Sequence, residues 1–233
     1  MKKTLILLTG LIASSCLFAG QQVYMGLGIA SANISLPSLS DFTKYIAYSS
    51  IQTITSGYDT DARVFAGYNF AINKKYKTGI QFGYNSYNEQ YYNSKNPVDT
   101  AILEFKNLQQ LDFIWTNTYN PIAGLNIYAA VGPTLESISA KPSGTMTYYI
   151  KSGKTSTKIL PKIGLGIGYD FNKKWEVAVN YYHAFGKAID FKNFVNPDGT
   201  IADFNAPSTN QFVFSIRYNL NFGNHKSQKQ VTS

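Results

Sequence analysis

Cysteine is nearly missing from this chain, with one, Cys16, among 233 residues. No disulfide framework can hold the fold, and loss of the segment carrying Cys16 would exclude a thiol nucleophile as well. Charge is scarce too: Asp, Glu, Lys and Arg make up 15% of the residues, against roughly 25% in an ordinary soluble protein. The only arginines are Arg63 and Arg217, and the lysines are scattered over turns and loops. Nucleic-acid binding, which needs a clustered basic footprint, is therefore not expected. With two histidines, His183 and His225, and no second cysteine, neither a dedicated zinc site nor any other cofactor is expected. No apolar run of about 18 residues occurs, which excludes helical membrane spans.

Aromatic residues and alternation are plentiful, with 18 Tyr and 15 Phe. Near the C-terminus, residues 211–222 place Phe212, Phe214, Ile216, Tyr218, Leu220 and Phe222 on one side. The other side carries Gln211, Val213, Ser215, Arg217, Asn219 and Asn221. Period two means a strand, and twelve residues match one tilted stave crossing a bilayer better than an ordinary soluble strand. Low charge, a slightly negative mean hydropathy and alternation together predict an all-β chain folded as an eight-stranded antiparallel up-and-down transmembrane β-barrel.

Residues 1–19 read as a cleaved secretory leader, with Lys2 and Lys3, an apolar stretch over 5–12 and then small residues. Cutting after Ala19 leaves Leu17 at the third position back, so the boundary can shift by a residue or two. Cys16 follows Ala13-Ser14-Ser15, a faint likeness to a lipoprotein processing box that lacks the usual preceding leucine. Without Lys2 and Lys3 the net charge of +8 becomes +6, a balance that suits loops beside anionic lipopolysaccharide. The barrel domain is expected over 20–222 and a short periplasmic tail over 223–233.

The staves are expected at 21–31, 61–70, 76–87, 108–119, from 125 to about 135, 157–171, from 175 to about 183, and 211–222. Outward rows such as Val23, Met25, Leu27, Ile29 alternate with small or polar inward rows such as Tyr24, Gly26, Gly28, Ala30. Ile114 breaks the alternation of its stave, and Pro161 predicts either a bulge or a loosening of the pairing above it. Four long loops, 32–60, 88–107, 136–156 and 184–208, alternate with three short turns, and a short surface helix is expected within 41–55. Both termini then lie on the short-turn side, which in outer-membrane barrels is periplasmic.

The segment Val23-Tyr24-Met25-Gly26-Leu27-Gly28, the hairpin Gly168-Tyr169-Asp170-Phe171-Asn172-Lys173-Lys174-Trp175 and the closing strand ending in Phe222 resemble one family. It is that of the small outer-membrane barrels, which includes the transmembrane domain of outer-membrane protein A and the eight-stranded adhesion and invasion barrels. The resemblance implies the bacterial outer membrane as location, the barrel-assembly machinery as reader of the closing strand, and surface loops as the variable part. The peptidoglycan-binding domain of larger members has no counterpart in the 223–233 tail.

An eight-stranded lumen is only wide enough for side chains to fill, so inward charges must be paired. Arg63, Lys162, Arg217 and Asp112 are expected to form a network with Gln81, Gln110, Asn180 and Asn219. With Asp112 as the one mid-strand acid, the lumen should be net positive. Trp115, Tyr169, Phe171, Trp175, Tyr218 and Phe222 are expected as an aromatic girdle near the turns.

The alternating Gly164, Gly166 and Gly168 make room in the lumen rather than cradle a phosphate. His183 is loosely similar to the histidine of lipid A deacylases, but their serine position holds Phe185 here, so no catalytic residue is assigned. The expected role is a non-enzymatic envelope scaffold whose loops contact lipopolysaccharide, other cells or host surfaces. A narrow small-solute pore is the alternative, and a lipid-modifying enzyme stands third.

Overall fold

The computed structural model describes residues 21–34, 59–87, 90–95, 100–148, 150–190 and 193–220. The leader, the helix expected within 41–55, His225, Phe222 and the tail lie outside them. Nine strands appear: β1 (Gln21–Ile34), β2 (Asp59–Ala71), β3 (Tyr76–Tyr87), β4 (Gln90–Lys95), β5 (Thr100–Tyr119), β6 (Leu125–Gly144), β7 (Lys154–Asp170), β8 (Trp175–Ala184) and β9 (Thr209–Leu220). Neighbours pair antiparallel, and the closing seam runs from Val23↔Leu220 to Ile34↔Thr209 between β1 and β9. β3 and β4 share one place in the ring, because both pair with β5, at 108–119 and 100–105 respectively. The result is a closed eight-stave barrel, and closure removes the free sheet edge that hydrocarbon would leave unpaired.

Through the lower part of the barrel the apolar residues face outward. Leu27, Val64, Phe82, Phe113, Val131, Leu165, Val179 and Phe214 are all exposed, while Tyr24, Arg63, Gln81, Asp112, Lys162 and Asn180 are buried within. Farther up, the preference reverses. Ser31, Ser86, Gln109, Ser137, Thr155 and Thr157 face out, and Ala30, Ala32, Ile34, Tyr87, Leu108, Ile138 and Ala140 are buried inside. Lipid as the surrounding solvent selects the first pattern and water selects the second. The level at which the pattern turns over marks the outer edge of the bilayer.

This reversal corrects two of the expected loops. Within 88–107 lies the β4–β5 hairpin, and the 136–156 stretch is mostly the upper ends of β6 and β7. β5 and β6 are each 20 residues long, about twice the nine to eleven that cross a bilayer. Their upper halves alternate with polar residues outward, which a search for outward apolar rows passes over. A bulge adds to the disguise: the β5–β6 register shifts between Lys106 and Gln109, with Asn107 at φ 53°. Asn tolerates that left-handed conformation. The shift moves the inward row from Leu103 and Phe105 to Leu108, Gln110 and Asp112, so Ile114, which seemed to break the alternation, belongs to the inward row and is buried.

Pro161 causes no bulge. The β6–β7 register runs unbroken through Pro133↔Pro161, whereas β7–β8 pairing stops one residue away, at Lys162↔Ala184. Of the two outcomes expected there, the loosened pairing is the one found. β8 is only ten residues long, so β5, β6 and β7 stand above it as a projecting sheet edged by β4.

Candidate functional site in the barrel lumen and mouth

Alternation points Arg63, Asn85, Gln110 and Glu136 inward at one level, since Arg63↔Asn85, Asn85↔Gln110 and Gln110↔Glu136 are register partners. Asp112 lies one step below on β5. Its Oδ2 accepts from Arg63 Nη1 at 2.7 Å, and its Oδ1 from Lys162 Nζ at 2.9 Å. Arg63 also donates to Asn85 Oδ1 at 2.8 Å. Lys162 donates to Gln110 Oε1 and Gln211 Oε1, both at 3.0 Å. Gln110 Nε2 reaches Glu136 Oε2 at 2.5 Å, which also accepts from Thr209 Oγ1 at 3.0 Å. The Tyr182 ring lies under both cations, with its centroid 4.9 Å from Arg63 Cζ and 5.2 Å from Lys162 Nζ. Space for the guanidinium exists because residue 83 is glycine: a Cβ there would sit 2.6 Å from Arg63 Nη2.

A second cluster lies nearer the turns. Arg217 Nη1 is 3.4 Å from Glu176 Oε2 and 3.3 Å from Tyr128 Oη, and Tyr128 donates to Glu176. The Arg217 guanidinium packs 4.2 Å from the centroid of Tyr24, whose hydroxyl donates to Gln81 Oε1 at 3.3 Å. Beside it is a cavity of about 10 Å³ lined by residues including Gln81, Thr116, Asn180 and Arg217, about the volume one water needs.

Of the residues expected in a lumen network, Arg63, Gln110, Asp112 and Lys162 come together around one carboxylate, and Arg217 and Gln81 belong to the lower cluster. Asn180 and Asn219 are buried on the same inner face, but the hydrogen bonds described above do not run through their side chains. Two acids were not foreseen. Glu136 falls in a stretch expected to be loop, and Glu176, whose inward parity was legible, was not counted among the mid-strand acids. Among the described residues the buried cations Arg63, Lys162 and Arg217 are matched by the buried acids Asp112, Glu136 and Glu176. The expectation of a single mid-strand acid is thus corrected: the described lumen holds three buried acids beside three buried cations.

The 184–208 stretch is expected as a surface loop; its described residues, 184–190 and 193–208, fold back into the mouth. Ile189, Phe194, Ile201 and Phe204 are buried there against Leu103, Phe105 and Ile138, with Phe204 and Phe194 each 6.2 Å from Phe105, ring to ring. Burying a Phe stabilises by about 1.5–3 kcal/mol, and an exposed loop cannot gain that. The loop is strapped to β7 by Lys158–Asp203 at 2.5 Å and Ser156 Oγ to Phe204 O at 2.5 Å, and to the segment just before β7 by the Ser152↔Thr200 bridge. The Lys158 bond holds the exposed Asp203 carboxyl below its ordinary pKa.

Of the expected girdle, Trp175 packs on Tyr218 at 4.7 Å and Tyr169 on Phe171 at 6.0 Å, all at the turn side. Tyr76 stacked on Tyr119 at 4.8 Å extends the belt. Trp115 faces out but four positions above Tyr119, within the apolar band. His183 lies at the outer rim, its Nδ1 2.7 Å from Asn210 Oδ1, which also accepts from Tyr181 Oη at 2.7 Å. The His183 ring packs on Phe185 at 4.3 Å.

A closed cylinder with an apolar belt, aromatic rings at the turn side and a filled interior defines an outer-membrane β-barrel. The chain belongs to the outer membrane protein beta-barrel domain family, which matches residues 4–224. Among solved structures it is similar in fold to Ail, the attachment invasion locus protein of Yersinia pestis. That match has 8% identity and a TM-score of 0.50, covering 87% of this chain and 100% of Ail. Neisserial surface protein A matches at 13% identity and a TM-score of 0.46, covering 87% of this chain and 98% of that one. OprG of Pseudomonas aeruginosa matches at 13% identity and a TM-score of 0.46, covering 87% and 96%. No curated protein matches the sequence. The likeness to Ail is one of fold, and the bacterial outer membrane is where the family's barrel resides.

Proposed function

We propose that this protein is a non-conducting, non-enzymatic barrel that holds a recognition surface above the outer membrane. The surface is the projecting part of β4–β7, and its partners are lipopolysaccharide or the surfaces of neighbouring or host cells. The observation that carries this reading is the reversal of polarity. Above the lipid band the outer wall becomes a ladder of hydroxyls, Ser139 paired with Thr155 at 2.8 Å and Thr157 with Ser137 at 3.2 Å, with exposed Lys141 above it. Hydroxyls and a lysine at the sugar and phosphate level offer the donors and acceptors that a glycolipid headgroup requires. The capped mouth and the ion clusters below it support a closed channel, because a permeating solute would have to break both.

The surroundings of His183 support a non-enzymatic role. Its Nδ1 is engaged with an amide oxygen and its ring with Phe185, whereas a relay needs a nucleophile within hydrogen-bond reach. Binding to purified lipopolysaccharide, compared between the folded protein and a Ser137, Ser139, Lys141, Thr155, Thr157 all-to-Ala variant of native gel mobility, tests the surface. Equal binding by the two would overturn it. Stable openings in planar bilayers at neutral pH would replace this reading with the pore, and altered lipid A masses in cells expressing the protein would replace it with the enzyme.

A further inference from the structure

The exposed lysines on the turn side are concentrated in two places. The β2–β3 connection carries Lys74-Lys75 and the β7–β8 connection carries Lys173-Lys174, all exposed. The two corners share one lock. Asn73 Oδ1 accepts from the backbone N–H of Lys75 at 2.8 Å and of Tyr76 at 2.9 Å. Asn172 Oδ1 accepts from the N–H of Lys174 at 2.8 Å and of Trp175 at 3.0 Å. The residue before each Asn donates to the carbonyl of the aromatic, Ile72 to Tyr76 at 2.9 Å and Phe171 to Trp175 at 3.0 Å. The carbonyl of each second lysine accepts from the adjoining strand, Lys75 from Asn120 and Lys174 from Asn219, both at 2.7 Å. Each aromatic then packs on the tyrosine before that asparagine, Tyr76 on Tyr119 and Trp175 on Tyr218.

The two corners stand on opposite sides of the barrel, four places apart in the ring of eight. The third connection, 120–124, shares only the bond from the adjoining strand, Asp170 N–H to Gly124 O at 2.8 Å: it reads Asn120-Pro121-Ile122-Ala123-Gly124, with Gly124 at φ 83° and no lysine. A generic solubilising turn would not need the same side-chain lock twice.

The lock decides what the lysines can reach. With the backbone of each turn held by its Asn, the two exposed lysines adjoin in sequence a ring pair of the aromatic belt, which sits at headgroup depth. An exposed apolar side chain, Ile72 or Phe171, flanks each pair.

We propose that the two Asn-Lys-Lys-aromatic corners are matched binding sites for the phosphate of anionic glycerophospholipids in the leaflet that the turns face. Lipid fits better than a periplasmic polymer because ring pair, apolar flank and lysines together span the depth from acyl chain to phosphate, and because short turns project little beyond it.

Trp175 provides the probe. In a Trp115→Phe background it is the single indole, and it adjoins one lysine pair. The full chain is folded into vesicles containing phosphatidylcholine and phosphatidylglycerol in equal amounts, with either lipid brominated. We expect Trp175 quenching to show a several-fold excess of the anionic lipid beside it, reduced by salt. The excess should fall to parity in the Lys173→Gln, Lys174→Gln variant and persist in the Lys74→Gln, Lys75→Gln variant, which alters the far corner. Heat-dependent gel mobility verifies folding of each variant. Parity in the wild type, or an excess that survives loss of the adjacent pair, would overturn the proposal. So would lysine-dependent co-sedimentation with purified peptidoglycan in the absence of any lipid preference.

Discussion

Asp112 offers the sharpest test of how the lumen is held together. Its carboxylate is fully buried and is shared by two buried cations, at 2.7 Å from Arg63 and 2.9 Å from Lys162. Asp112→Ala leaves both cations in place with amide oxygens and the Tyr182 ring to face: Asn85 Oδ1 for Arg63, Gln110 and Gln211 Oε1 for Lys162. Removing one partner of a buried pair costs about 3–5 kcal/mol. The surviving amide contacts argue for the middle of that range, about 4 kcal/mol, and Asp112→Asn, which keeps one acceptor, should cost about half as much. With an unfolding slope of about 2 kcal/mol per molar urea, the Ala variant should lower the midpoint by about 2 M. The assay is equilibrium urea unfolding in lipid vesicles, followed by tryptophan emission and by heat-dependent gel mobility. A variant that keeps native mobility and a wild-type midpoint would refute the reasoning. A cost that vanishes in about 1 M salt, where the screening length is near 3 Å, would equally show that these charges sit in water.

The hydrogen bonds described for the two ion clusters have no residue in common and only the Phe65 ring lies against both guanidiniums, 6.0 Å from Arg63 and 5.8 Å from Arg217, so the costs of Asp112→Asn and Glu176→Gln should add to within about 0.5 kcal/mol in the double variant, read by the same unfolding assay. Phe204→Ala removes a ring that packs on Phe105 and Phe194 at 6.2 and 5.5 Å. It should cost about 3 kcal/mol, and amide exchange should accelerate first across 193–208. Planar bilayers containing it should stay silent, because the ion clusters below still fill the lumen. Asp203 has a depressed pKa in the folded protein, so its strap to Lys158 is present above the ordinary carboxylate range and is lost as pH falls through the lowered value. Acidification should therefore raise amide exchange in the 193–208 stretch, and Asp203→Asn should reproduce that looser state at neutral pH, both weakly because the pair is exposed and screened.

How much of this was legible beforehand depended on which solvent each residue faces. In the lipid band, alternation alone assigned Leu27, Phe113 and Phe214 to the outside and Asp112, Lys162 and Arg217 to the inside, because hydrocarbon accepts only one of the two faces. Above the band the same alternation persists with its faces exchanged, so Ser137, Ser139 and Lys141 resembled a polar loop and Glu136 was lost with them. The bulge at Asn107 deepened the error by changing which parity points inward. The folding of the 184–208 loop into the mouth was out of reach. Its Ile189, Phe194, Ile201 and Phe204 follow no period, and only the closed ring brings Phe105 and Ile138 to meet them.

The chain on its own determined the strand period, the ring of eight and the side of the wall that meets lipid, since each follows from local repetition under a single surrounding medium. Tertiary structure alone decided which buried ionisable groups answer one another, that the described acids and cations are equal in number, and that the 193–208 segment packs into the mouth. Those outcomes depend on residues as far apart as Asp112 and Lys162, or Phe105 and Phe204, whose distance in space is set by closure of the cylinder and not by anything written in their own segments.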